Sequence, residues 1–187
     1  VVFTKHFKPM VIGTFIMVAT YSLFYIMTAF AQAYSRTPAT LSEAGYPMGL
    51  GIPANTFTGL LLMSAIVFAI FISISGLYAD KIGRRKWLIW TTVSILIFAL
   101  CMPLFLGNGT PASVFAFLVI GMALMGMTFG PMAALLPELF PTEVRYSGAS
   151  LAYNIASIIG ATIAAMISLK INALYGLMGV GIYLAIN

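Results

Sequence analysis

The chain has 187 residues, 61% hydrophobic and only 7% charged, with a mean hydropathy of +1.06 and a formal charge of +5. Soluble domains run at about 45–50% apolar and about 25% charged, so this chain lacks the polar surface to cover a body in water. Its few Lys and Arg residues stand at the ends of apolar runs rather than on one aromatic-laced face, which excludes nucleic acid as a partner, and lone Cys101 excludes a disulfide framework.

A transmembrane barrel would alternate apolar and polar positions over about ten residues. The apolar runs here are continuous and about twenty long, as a spanning helix needs. Spanning helices are predicted at about 9–34, 55–78, 87–106, 112–136, 148–169 and 174–187. The sixth is too short to cross about 30 Å of hydrocarbon and reads as a truncated helix. Val1 is not a Met and the last apolar run is still going at Asn187, so both ends read as cut.

Lys5 and Lys8 precede the first helix, and "AQA" at 31–33 resembles a signal cleavage site. A signal core is about 7–15 residues, and this run is too long for one. His6 reads as an interfacial residue. Along the helix Thr14, Tyr21, Tyr25, Thr28 and Gln32 come at steps of seven, four, three and four, a polar stripe on an otherwise apolar surface. Facing lipid, these groups would lack partners. They are expected to face the bundle interior, as substrate-lining groups or as interhelical contacts. Next comes a loop rich in Pro and Gly, "SRTPATLSEAGYPMGLGIPA" at 35–54.

The second helix ends in "GLYADKIGRRKW" at 76–87, where Asp80, Lys81, Arg84, Arg85 and Lys86 crowd into seven positions. At mid-membrane each of them would cost roughly 2.5–3.5 kcal/mol, so the stretch is predicted as a short turn outside the lipid. Gly76 is expected to let two helices approach and Gly83 to allow the turn. Asp80 would stand near the positive end of the next helix, with Arg84 and Arg85 free to pair with carboxylates of neighbouring turns. Cys101, within the third apolar run, reads as a packing residue. "GNGTP" at 107–111 is a polar turn whose Pro111 can open the fourth helix. That helix carries "GMTFGPM", with Gly126 and Gly130 four apart, read either as a flexible gate lining a cavity or as a close-packing pair.

"LPELFPTEVRYSGASLAYNIAS" at 136–157 leads through Glu138 and Arg145 into the fifth helix. Gly148, Ala152, Ala156, Gly160, Ala164 and Ser168 recur every fourth residue there, a seam for tight packing. Tyr153, Asn154 and Ser157 lie off the seam and are placed to reach the cavity. Asn154 is the preferred cavity residue, because an amide both donates and accepts. If the chain begins in the cytoplasm, that side holds Lys5, Lys8, Lys81, Arg84, Arg85, Lys86 and Arg145, against Arg36 and Lys170 opposite. The positive-inside bias favours that orientation. No Asp, Glu or His stands mid-span, where an ionisable group would be the default proton relay.

The spacing G-x-x-x-D-K-x-G-R-R-K, carried by Gly76, Asp80, Gly83, Arg84 and Arg85, resembles the loop between the second and third helices of each six-helix half of major facilitator superfamily transporters. The stretch from Pro137 to Tyr153 is similar to the metabolite–proton symporters of that superfamily, with Asn154 where their usual form has Gln. Sugar porters carry a related E-x-F-P-x-x-x-R run.

The resemblance implies an all-α membrane protein, the carboxyl-terminal six-helix half of a twelve-helix transporter. The implied function is proton-coupled symport of a small polar metabolite, such as an organic acid or a zwitterion, by alternating access. The implied partners are that metabolite, protons, the lipid bilayer and an amino-terminal six-helix half holding the titrating group. The implied location is a bacterial inner membrane, with the amino end of this chain cytoplasmic, and no cofactor, metal or enzyme activity is implied.

The substrate-lining candidates are Tyr21, Tyr25, Thr28, Gln32, Gly126, Gly130 and Asn154. Gly76, Asp80, Gly83, Arg84, Arg85, Glu138 and Arg145 form the candidate cytoplasmic gating network, in which Glu138 and Arg145 are expected to meet Asp80 and Arg84. The alternative to the latch is that these charges only set topology and solvation. A sugar-porter-like carrier remains as a second function, and a channel or receptor as a third. A membrane enzyme lacks support, since there is no H-E-x-x-H and no nucleophile elbow.

Overall fold

The structure, a computed structural model, describes residues 7–160 and 164–186. The readings made for Lys5, His6 and the two chain ends lie outside those residues, as does 161–163 within the fifth predicted span. Helix α1 covers Phe7–Arg36, interrupted by a π turn at Ile26–Phe30. Then come α2 (Ala54–Ile82), α3 (Arg84–Leu100), the short α4 (Met102–Leu106), α5 (Pro111–Glu138), α6 (Arg145–Ile158) and α7 (Ala164–Ile186). Among the described residues the only extended pairing is an isolated bridge between Leu41 and Pro47.

The boundaries come from local chemistry. Gly83, at φ 99°, ends α2 and starts α3, a conformation that favours glycine. Thr110 caps α5 by accepting the Ser113 backbone N–H at 3.2 Å, and Pro111 takes the first helical position. The predicted run 87–106 breaks at Cys101. Pro103, with no N–H and a ring that crowds the preceding turn, accounts for that break. A second departure lies in α7, whose Gly176 has φ 69° and ψ −171°. The predicted gap at 170–173 is therefore helical, and the break falls at Gly176.

Among the described residues four helices are long and apolar enough to cross a membrane: α1, α2, α5 and α7. The last of them is divided by Gly176. Leu62, Ile66 and Ile70 of α2 and Trp90, Val93 and Ile97 of α3 stand exposed, which suits a surface in lipid rather than water.

Lipid tails provide no hydrophobic drive between helices, so association rests on close packing. The α6 seam shows this. Ala152 and Ala156 are fully buried, a Cβ on Gly13 of α1 would lie 3.5 Å from that of Ala152, and one on Gly160 would strike Tyr21. Helices α2 and α5 meet in the same way through Gly126 and Gly130. A Cβ on Gly126 would lie 2.8 Å from the Phe68 carbonyl oxygen, and one on Gly130 would lie 2.7 Å from that of Ile72. A Cβ on Gly76, by contrast, meets nothing within 4 Å. The approach near Gly76 comes from the missing side chain of Gly130, not from that of Gly76.

Pro131 sits inside α5 and cannot donate to the Met127 carbonyl. The indole N–H of Trp87 donates to that carbonyl instead, at 3.0 Å, and the Ser75 hydroxyl donates to the Gly126 carbonyl at 2.9 Å. A neighbouring helix, through Trp87, thus satisfies the carbonyl that the proline frees.

The bundle has two distinct ends. One holds the α2–α3 turn, the 139–144 turn and the start of α1. At the other, the loop 37–53 closes on the break in α7: Ser42 donates to the Ala173 carbonyl at 2.8 Å, the Asn172 amide donates to the Pro47 carbonyl at 3.0 Å, and the Tyr46 ring lies over Gly176.

Candidate functional site

Arg84 stands in the first turn of α3, and its guanidinium joins three helix ends. Its Nε donates to Oδ1 of Asp80, in the last turn of α2, at 3.0 Å. Its Nη1 donates to Oε1 of Glu138, the last residue of α5, at 2.5 Å. Glu138 first, and then Asp80, hold the guanidinium above its ordinary value. The Gly83 turn makes this possible, because it reverses the chain within four residues of Asp80.

The rest of the expected network is not assembled. Arg145 does not reach Asp80, Arg84 or Glu138; its Nε donates at 3.3 Å to the Phe140 carbonyl, closing its own turn. The reason is local. The 139–144 turn separates the end of α5 from the start of α6, and Arg145 folds back over it. Arg85 is exposed and forms no ion pair among the described residues. Gly76 contributes backbone to the α2–α5 contact but no close approach of its own.

The substrate-lining candidates are dispersed. Tyr21 is buried and meets the Tyr153 ring edge-on, centroids 5.4 Å apart. Tyr25 meets Phe24, and the Thr28 hydroxyl donates back to the Phe24 carbonyl at 2.8 Å. The π turn at Ile26–Phe30 inserts an extra residue, which rotates the succeeding turns by about 100°. Gln32 therefore leaves the straight stripe that the spacing predicts. Gly126 and Gly130 lie in the α2–α5 contact. The Asn154 amide, on an exposed face, donates to the Ser150 carbonyl of its own helix at 2.7 Å.

A groove of about 660 Å³ opens instead between α1, α5 and α6 at the charged end. Met17, Phe129, Met132, Leu136 and Pro137 make its apolar floor; Thr142, Arg145, Tyr146, Ser150 and Tyr153 bring polar atoms. Of the residues the sequence singled out, Arg145 and Tyr153 line it directly, with Tyr21 behind Tyr153. The overlooked signal is that Tyr146 and Ser150 stand seven and three residues before Tyr153, so that all three share one helix face. Among the described residues no three His, Cys, Asp or Glu gather as metal ligands would.

The sequence pattern of the Major Facilitator Superfamily matches residues 2–165. A putative metabolite transport protein of Haemophilus influenzae is 87% identical over 187 residues, all of this chain and 43% of that protein. The inner membrane metabolite transport protein YhjE of Escherichia coli is 53% identical over 184 residues, 97% of this chain and 40% of that protein. A proline/betaine transporter of Salmonella typhimurium is 28% identical over 158 residues, 83% of this chain and 29% of that protein. The chain thus spans less than half the length of the curated relatives it matches. No solved structure matches it.

Proposed function

The chain belongs to the major facilitator superfamily, a family of transporters rather than enzymes, and from that premise we propose that it is the carboxyl-terminal six-helix half of a secondary active transporter. Six spans result if α3 and α4 together make the third, α6 through α7 up to Gly176 the fifth, and α7 beyond Gly176 the sixth. The transported solute is a small polar metabolite, an organic acid or a zwitterion. Relatives named for metabolites and for proline and betaine support that class. Transport is coupled to protons, whose titrating group lies in the amino-terminal half. The membrane is the bacterial inner membrane, as the name of one relative states for that protein, and Asp80 and Arg84 face the cytoplasm.

The observation that carries this reading is the bridge from Arg84 to Asp80 and Glu138. It ties the cytoplasmic ends of α2, α3 and α5 in one access state and loosens in the other, since paired exposed charges bias a two-state equilibrium without locking it. Gly126 and Gly130 let α5 shift against α2. Tyr21, Tyr25, Thr28, Gln32 and Asn154 face the solute path at different stages of the cycle. Gly76, Gly83, Arg85 and Arg145 complete the cytoplasmic gate.

The test is uptake of labelled proline, glycine betaine and succinate by the full-length transporter in proteoliposomes. The expected result is accumulation of at least one of them above equilibrium under an inward proton gradient, abolished by an uncoupler. Equilibration of solute independent of that gradient would overturn the symport reading and point to a channel.

A further inference from the structure

Pro131 leaves the Met127 carbonyl of α5 without its helical donor, and Trp87, one turn into α3, supplies one from the side at 3.0 Å. The indole is buried and held in place, stacked on the Tyr78 ring of α2 with centroids 6.0 Å apart. One residue earlier on α5, the Gly126 carbonyl accepts the Ser75 hydroxyl of α2. Two successive carbonyls beside the proline are thus held by side chains of two other helices.

Arg84 lies three residues before Trp87 on the same face of α3, and its bridge reaches Glu138 at the end of α5. The first turn of α3 therefore grips α5 at two points about 16 Å apart along the helix. Pro131 and Pro137 lie between those points. A proline inside a helix is where the helix bends. Phe129 precedes Pro131, Met132, Ala133 and Leu136 follow it, and all four line the groove.

From these placements we infer that Trp87 is a positioning residue of the transport cycle: its indole N–H fixes the bend of α5 at Pro131 in this access state. The bond breaks when the first turn of α3 moves away from α5. The inference rests on the transporter reading above and adds a second, buried contact to its charged bridge. The two contacts differ in weight. Exposed Asp80 and Glu138 exchange Arg84 for water at little cost, whereas a carbonyl at membrane depth has no water to turn to. Bending at Pro131 carries the groove floor beyond it, so Trp87 acts on the groove without lining it.

The experiment uses the full-length transporter with its cysteines replaced and one thiol placed at Leu139. The rate at which that thiol reacts with a maleimide reads the fraction of molecules open at the bridged end. Trp87→Phe keeps an aromatic ring to stack on Tyr78 and removes the N–H. It should raise the labelling rate about five- to thirtyfold, the factor expected when a carbonyl shielded from water loses its donor. Pro131→Ala returns a backbone N–H to the Met127 carbonyl. In that background Trp87→Phe should change labelling by less than about twofold, because the two substitutions act on one bond. An indole that only fills space would have the same effect in both backgrounds.

Unchanged labelling in Trp87→Phe, or an equal change with and without Pro131→Ala, would overturn the inference. If Trp87→Phe alone does not fold, recovery of folded transporter in the double variant supports it, and failure there overturns it. The labelling needs neither solute nor gradient, so proteoliposome uptake tests the underlying reading separately. Gradient-driven uptake without coupling between Trp87 and Pro131 sinks the hinge and keeps the transporter. Coupling without gradient-driven uptake keeps the hinge and sinks the symporter.

Discussion

Arg84 and Arg85 are neighbours of identical chemistry, yet only Arg84 is paired. Gly83 turns the chain so that the first residue of α3 faces back across Asp80 toward Glu138, while the next points away. Arg84→Gln is therefore expected to raise solvent access at the bridged ends of α2 and α5 and to slow transport severalfold, with Arg85→Gln leaving both near wild type. Thiol labelling of a cysteine placed at Leu139 in the full-length protein reads the access. Equal labelling in the two variants would remove the latch. The raised Arg84 value also sets the sign of a pH dependence. A cation raised on folding contributes in full below its ordinary value and loses that contribution only as pH climbs above it. The melting-temperature difference between wild type and Arg84→Gln should hold from about pH 7 to pH 10. It should shrink with salt, because the screening length is about 10 Å at 0.1 M. The sequence spacing made the Asp80–Arg84–Glu138 triad legible. It could not show that Arg145 folds back on Phe140, since that depends on the path of the 139–144 turn and not on periodicity.

Helix α5 packs against α2 through two glycines, which do different work from the Gly76 they face. Gly130→Ala would push a methyl into the Ser75 hydroxyl and to 2.7 Å from the Ile72 carbonyl, backbone that cannot swing aside. Such overpacking costs about 1–3 kcal/mol. Gly76→Ala places its methyl in open space and gains about 0.5–1 kcal/mol of helix propensity. Thermal melts in detergent should rank Gly76→Ala at or above wild type and Gly130→Ala well below it; the reverse order would mean that the helices cross elsewhere. Helices α1, α2 and α5 were legible because apolar runs of about twenty residues have few other uses. The interruptions escaped: Cys101 ahead of Pro103, the π turn of α1 and the break at Gly176. Each depends on how one residue's backbone meets its neighbours. Gly176, under the Tyr46 ring, is held by a loop more than a hundred residues earlier in the chain, so no local pattern could announce it.

At the scale of the molecule the charges divide by end. Lys8, Lys81, Arg84, Arg85, Lys86 and Arg145 stand at the end with the Arg84 bridge, and Arg36 and Lys170 stand at the end closed by the loop 37–53. The fold makes this division meaningful, because segments far apart in sequence meet at each end: α2 with α5 at the first, and the loop 37–53 with α7 at the second. Positive residues beside short loops set orientation, so the basic end is expected in the cytoplasm and the loop outside it. With Cys101 replaced by serine in the full-length transporter, a cysteine at Lys86 should react with a membrane-impermeant maleimide only in inside-out vesicles. A cysteine at Glu43 should react only in right-side-out ones. Both sites are exposed, so silence at either cannot be blamed on burial. Exchange of the two patterns would reverse the orientation. Reaction of both sites from one face would deny that the helices between them span the membrane an odd number of times.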